Sequence, residues 1–133
     1  MTYFLAKTDP ASYSIDDFER EGTTVWDGVR NALACRAIRL MSPGDDVFIY
    51  HSQGTACVVG LALVVSEPRP NVTEPKSFVV DMTFKKQLTR PVTLKEIKAS
   101  NKFNSWILVR QGRLSTMEAP DEFAEWLGQI GAL

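Results

Sequence analysis

The sequence predicts an α+β fold, a small mixed β barrel flanked by short helices. Three observations carry that prediction. Residues 46–51 and 56–65 are near-continuous apolar, β-rich runs of the kind that form buried strands. A third β-rich run, Phe78 to Phe84, follows a loop holding three prolines. Short helix signals stand between and after these runs, at Ser14, Thr93 and Pro120.

In chain order, Tyr3 to Thr8 reads as a strand that stops at Asp9-Pro10, because the residue before proline is pushed toward extended geometry. Ser14-Ile15-Asp16-Asp17 matches the S-x-x-D/E pattern of a capped helix, which ends near Glu21-Gly22. Thr23 to Trp26 is β-prone and Asp27-Gly28 is a turn signal. From Asn31 a helix is predicted with Leu33, Ile38, Leu40 and Met41 on its apolar face and Arg30, Arg36 and Arg39 elsewhere, ended by Ser42-Pro43-Gly44. The two apolar strands are joined by a hairpin loop, Ser52 to Thr55. Residues 78–84 form a strand, and residues 88–92 an edge strand or its exit, since Pro91 cannot donate to a central ladder. Thr93 caps a helix through Ala99, residues 104–111 are helical, and residues 113–116 are extended. Pro120 suits the first turn of a last helix, whose core stripe is Phe123, Trp126, Leu127 and Ile130. Four or five strands are expected in all.

A chain of 133 residues is read as one domain, residues 1–133, large enough to bury a core without staples. Its 44 % apolar and 23 % charged residues are ordinary for a globular protein. No apolar run approaches the roughly 18–20 residues of a membrane span, and the start does not read as a signal peptide. A cytoplasmic location follows, or a nuclear one in a eukaryote. Cys35 and Cys57 sit in apolar contexts and, with a single histidine, offer no metal-ligand spacing; they are expected to be buried thiols. No cofactor is called for. The net charge is −1, yet it is unevenly spread. Residues 85–113 carry eight basic side chains against the single acid Glu96. A near-neutral protein can thus present a basic face to phosphates.

Three strings stand out. In Thr24-Val25-Trp26-Asp27-Gly28-Val29-Arg30-Asn31 a large flat ring at a strand end precedes a tight turn. Trp26 either packs in the core or stacks on a planar ligand; Asn31 suits a polar edge and Arg30 a phosphate. Tyr50-His51-Ser52 ends a buried strand. His51 and Ser52 cannot easily act as base and nucleophile, because neighbours on a strand point to opposite faces. The third string, Arg110 to Thr116, sets Arg110 and Arg113 around Gly112.

Taken together, these strings resemble the EVE domain, a PUA-like family. The matching segments include Tyr3 to Pro10, Tyr13 to Asp17, Trp26 to Asn31, Met41 to Asp45, Tyr50 to Ser52, Arg90 to Leu94 and Arg110 to Thr116, in family order along nearly the whole chain. The resemblance implies a PUA-like pseudo-barrel related to the YTH readers of methylated adenine. It implies a pocket that receives one base taken out of its strand. Lys7 and Thr8 would stand at its mouth, Trp26 would form one wall with Asp27 and Asn31 beside it, and Tyr50, His51 and Ser52 would form the floor. Arg113 and Ser115 would be rim contacts. The chain departs from the family in having Phe4 where tryptophan is usual and Ala34-Cys35-Arg36-Ala37 where the usual reading is Q-A-R-N. Phe78 stands nearest the place of a further usual tryptophan. The expectation is a binding module for DNA or RNA bearing a modified base, acting as a monomer and with effector proteins as further partners. The alternatives are an RNA-binding module indifferent to modification, or an enzyme acting on a nucleotide or other small molecule.

Overall fold

The computed structural model describes residues 2–133. Strand β1 (Tyr3–Thr8) runs to the Asp9-Pro10 turn and is followed by helix α1 (Ile15–Glu21). Ser14 and Asp17 form the capping box read from the sequence, each side chain bonding the other's backbone N–H. Strand β2 (Thr23–Trp26) ends at the Asp27-Gly28 turn, where Gly28 has φ +78°. Helix α2 (Ala32–Leu40) starts on Asn31, whose side-chain oxygen accepts from the Leu33 and Ala34 N–H groups. Strands β3 (Asp46–His51) and β4 (Cys57–Val64) form the apolar hairpin. The proline-rich segment is a loop apart from the two-residue strand β5 (Arg69–Pro70). Strand β6 (Phe78–Thr93) leads through the Thr93 cap into α3 (Leu94–Ala99). Helix α4 (Ile107–Arg110), strand β7 (Thr116–Ala119) and helix α5 (Asp121–Gln129) complete the described chain.

The strands lie in the order β2-β6-β4-β3-β1-β7, with β5 paired to β6 beside this path. Only β1 and β3 pair in parallel; the remaining pairs are antiparallel. The sheet is curled, because residues of the edge strand β2 and of β1, which neighbours the other edge strand β7, wall one cavity. Helix α2 spans the resulting seam and touches both β6 and β7. This mixed sheet with five short helices is the PUA-like α+β fold that the resemblance implies. Phe48, Phe103, Trp106, Phe123 and Trp126 form an aromatic cluster with ring centroids 4.8–6.0 Å apart. The Trp106 indole N–H donates to the Glu118 carbonyl at 2.9 Å, tying α4 to β7.

Several expectations are corrected. Among the described residues there are seven strands rather than four or five. Residues 78–84 and 88–92 belong to one 16-residue strand, β6. Its pairing with β4 is interrupted between Val58 and Gly60 and again between Leu61 and Ala62, and the first interruption takes Pro91 out of the regular ladder, so the proline does not end the strand. The buried face of α2 is Ala34, Cys35, Ala37 and Ile38. These mostly small residues let the helix sit close to the sheet, and they turn Leu33 and Leu40 outward, 52 % and 55 % exposed. Residues 104–106 are not helical, since packing and the indole bond fix Trp106 as the helix N-cap. The extended segment is 116–119 rather than 113–116. Lys7 holds the preceding turn, its backbone N–H donating to the Ser115 carbonyl and its ammonium to the Gly112 carbonyl, both at 2.8 Å. Pro120 is the N-cap of α5 instead of lying within its first turn. The α5 stripe is buried at Phe123, Trp126 and Leu127, and Ile130 is half-buried.

Candidate functional site

A cavity of about 250 Å³ opens where the sheet's two edges approach each other. β2 supplies Thr24, Val25 and Trp26, and the turn after it supplies Asp27, Gly28 and Val29. From the other edge come Lys7 and Thr8 of β1 and Ser115, next to β7. Tyr13, entering α1, completes the wall. The volume is just below the range of drug-sized pockets, which suits one small planar group rather than a larger ligand.

Trp26 meets both alternatives left open by the sequence. Only 6 % of the residue is exposed, and it packs against Phe18 at 5.9 Å and edge-on to Tyr13 at 6.2 Å. It is a core residue, yet it also forms cavity wall. Its indole N–H bonds to no described residue, and no buried side-chain polar atom among the described residues lacks a partner. The N–H therefore reaches solvent and is free to donate. The wall beneath it is fixed: the Val29 carbonyl accepts from the Cys35 thiol at 3.2 Å and from the Ser77 hydroxyl. Both thiols are buried and unoxidised.

Lys7 is half-buried. Its ammonium lies 5.3 Å from the centre of the Tyr50 ring, and burial lowers its pKa from the usual lysine value. One N–H of that ammonium is held by Gly112, which leaves donors for a ligand. Thr8 is fixed by donating its hydroxyl to the Tyr13 carbonyl at 2.8 Å. The Tyr13 hydroxyl donates to Glu21 at 3.0 Å, and burial is the largest cause of its raised pKa.

Of the residues picked out in the sequence, Lys7, Thr8, Trp26, Asp27 and Ser115 line the cavity. Asn31, His51, Ser52 and Phe78 have other partners. Asn31 caps α2. The His51 Nε2 accepts the Ile15 N–H at 3.1 Å, so it pins α1 to the end of β3. Burial lowers the His51 pKa, against an opposing pull from Asp16. Ser52 donates to the Thr8 carbonyl at 3.3 Å. The Phe78 ring lies 4.9 Å from the Arg39 guanidinium. Tyr50 is buried beneath Lys7, with its pKa raised mainly by burial and further by Cys57. Arg30 forms an exposed ion pair with Glu74 at 2.9 Å. Arg110 and Arg113 are exposed and flank Gly112, the residue held by Lys7. Tyr13 also lines the cavity, as do Thr24, Val25 and Val29, which lie in the tryptophan string but were given no role from the sequence. The signal for Tyr13 was available: a turn at Asp9-Pro10 followed by a capped helix must bring residue 13 back beside Thr8.

The basic segment 85–113 is not one face. Lys85 pairs with Asp46 at 2.8 Å, and Asp46 stands opposite Tyr3, at the far end of β1 from Lys7 and Thr8. Arg90 pairs with Glu96 at 2.8 Å.

Comparison with known proteins identifies the architecture. The family model for the EVE domain matches residues 2–130. The chain belongs to the EVE domain family. It is similar to thymocyte nuclear protein 1 of Rattus norvegicus, 32 % identical over 72 % of this chain and 55 % of that protein. The EVE chain thus spans about half the length of this relative. Among solved structures, a protein of Agrobacterium tumefaciens superposes with a TM-score of 0.94 at 32 % identity, covering 100 % of this chain and 94 % of its own. The human THYN1 protein, crystallised in complex with DNA containing 5-methylcytosine, superposes with a TM-score of 0.89 over 98 % of both chains. At 24 % identity that likeness is one of fold. Among the described residues no helix is long and apolar enough to cross a membrane.

Proposed function

We propose that this EVE domain binds nucleic acid and takes one base, carrying a small modification such as a methyl group, into the cavity beside Trp26. The observation that carries the reading is the cavity itself: a base-sized space at the barrel seam, walled by a tryptophan whose indole N–H is free. The complex of human THYN1 with 5-methylcytosine DNA on the same fold supports the same ligand class. Stacking on an aromatic ring contributes roughly 1–3 kcal/mol. Taking a paired base out of its stack costs a few kcal/mol, and less for a weakened or single-stranded site. A buried methyl adds about 0.8 kcal/mol, so preference for the modified base is modest unless the cavity also penalises the plain one. Lys7 supplies a donor for a base carbonyl or a phosphate, and Asp27 an acceptor for an exocyclic amino group.

The reading is binding rather than catalysis. The lone histidine and its neighbouring serine, the one pair that invites a hydrolytic reading, are both engaged in holding β3 to α1 and β1. The cavity beside Trp26 has room for one base, so the domain is expected to work as a monomer that recruits effector proteins. A nucleic-acid ligand places that work inside the cell, in the nucleus of a eukaryote.

The test is fluorescence anisotropy with short single- and double-stranded DNA and RNA, plain or carrying methylated and hydroxymethylated bases. Wild type should prefer one modified oligonucleotide. Trp26→Phe and Trp26→Ala, checked for folding by circular dichroism, should lose that preference in that order. Equal affinity for modified and plain oligonucleotides would show a nucleic-acid module indifferent to modification, and unaltered preference in Trp26→Ala would remove the cavity from the reading.

A further inference from the structure

The seam that opens the cavity is spanned by α2, and this helix carries a charge pattern that the base-binding reading does not use. From Val29 to Met41 the chain holds three arginines, Arg30, Arg36 and Arg39, and no acid. The first turn of α2 has none of the acidic side chains that usually neutralise the positive end of a helix. Arg36 and Arg39 are exposed and pair with no described carboxylate. Between them lies a hollow of about 450 Å³ lined by Ala32, Arg36, Arg39 and Leu40, without an acidic side chain. Arg39 is braced on the Phe78 ring, which fixes the direction of a side chain that otherwise sweeps solvent. Helix α2 begins three residues after Val29 of the cavity wall, so the arginine row leads away from the cavity.

We infer that the exposed face of α2 carries the sugar–phosphate backbone of the strand whose base enters the cavity, with Arg36 and Arg39 as its phosphate contacts. The inference rests on the nucleic-acid reading above. At 1.5 Å of rise per residue, Arg39 lies about 12 Å along the helix from its cap. A duplex strand passes roughly three phosphates over that length. Arg30 joins the row when phosphate replaces Glu74, an exchange that costs little because exposed ion pairs contribute at most about 1 kcal/mol. A second groove, of about 720 Å³, shares Arg36 and Leu40 with this hollow but has Glu118 and Glu122 on its far wall, which disfavours a polyanion there and leaves the strip between Arg36 and Arg39 as the acid-free path. The acid-free row favours a phosphodiester strand over a protein partner, although Leu33 and Leu40 are also exposed here. The segment from Lys85 to Lys98 is thereby left out, contrary to its dense basic count.

Salt titration of binding decides the matter, because each lost phosphate contact lowers the slope of log affinity against log salt by about 0.9 on duplex and 0.7 on single strands. Arg36→Ala and Arg39→Ala should each lower the slope by about that amount and weaken plain and modified oligonucleotides equally. Arg36→Lys should keep the slope, and Lys86→Ala and Lys98→Ala should leave it unchanged. Unchanged slopes in both alanine variants of α2, or a slope lost in the lysine variants instead, would overturn the inference; the first result with a Leu33→Ala effect on self-association would assign this face to a protein. The cavity reading fails separately, through base preference: a plain oligonucleotide suffices to read the α2 slope, whatever Trp26→Ala does to preference.

Discussion

Removing the imidazole of His51 tests whether this histidine is a structural post rather than part of a pocket floor. In the structure its Nε2 accepts the N–H of Ile15, the first residue of α1, at 3.1 Å. Ile15 is 5 % exposed, so the amide has little access to water once the imidazole is gone. A buried donor left without a partner costs about 1–3 kcal/mol. The His51→Ala variant should therefore unfold with a stability loss of about 2 kcal/mol, a fall in Tm of roughly 8 °C for a domain of this size. Acid should reach the same bond. Burial lowers the folded pKa of His51 below its usual 6.5, so the unfolded chain binds the proton more readily. The stability contributed by neutral His51 is fully present above about pH 6.5 and is lost as the pH falls from there through the folded pKa. With a single histidine in the chain, no other histidine titrates in that window. Urea unfolding at pH 7.5, 6.5 and 5.5 is the assay. The gap between wild type and His51→Ala should narrow as the pH falls. A gap that stays constant across this range, or one below about 0.5 kcal/mol at pH 7.5, would refute the acceptor role.

Gly60→Ala should destabilise the fold by roughly 1–3 kcal/mol. Its new Cβ would clash with the Ile15 Cδ1 and sit 3.1 Å from the Lys86 carbonyl, and thermal melts read the loss. Gly28→Ala should lose about 1 kcal/mol from the φ of +78° and weaken base binding more than that loss explains, since Gly28 is cavity wall; comparing melts with anisotropy separates the two. Trp106→Phe should keep the aromatic packing but drop the bond to the Glu118 carbonyl, at a cost of about 1 kcal/mol in urea unfolding. Lys7→Met should raise amide exchange around Ser115, because the ammonium no longer holds the Gly112 turn.

The strands were legible where hydrophobic pattern and turn chemistry agreed. The β3–β4 hairpin, the Ser14 capping box and the Thr93 cap are local features, and each sits where the residues put it. Helix α2 was legible as a helix but not in its facing. Sequence pattern weights large apolar side chains, whereas the seam admits only Ala34, Cys35, Ala37 and Ile38 and sends the leucines outward. The 16-residue length of β6 was hidden for a similar reason. Pro91 reads as a terminator unless the break in pairing between Val58 and Gly60 is known, and such breaks are set by the partner strand. For the site, the strand-end residues Lys7, Thr8, Trp26 and Asp27 were legible, because turns after strands place side chains at a barrel end. The adjacent pair His51 and Ser52 was not, because its role depends on α1 folding back over β3, a contact between residues 36 apart in the chain.

Trp26 shows why a residue of this kind resists classification from sequence. A wall that receives a planar ligand has to be rigid, since a ring free to rotate would spend part of the stacking energy on being ordered. Rigidity comes from the packing that makes a side chain look like core, and here Phe18 and Tyr13 provide it. Closing the barrel would have buried the whole ring; the seam between β2 and β7 leaves its edge open beside Lys7 and Ser115, and α2 bridges that seam without filling it. The same absence of a strand pairing that makes the cavity also requires α2 to lie across the opening. Under the proposed reading a strand emerging from the cavity passes along this helix, and it is the helix that carries arginines and no acids.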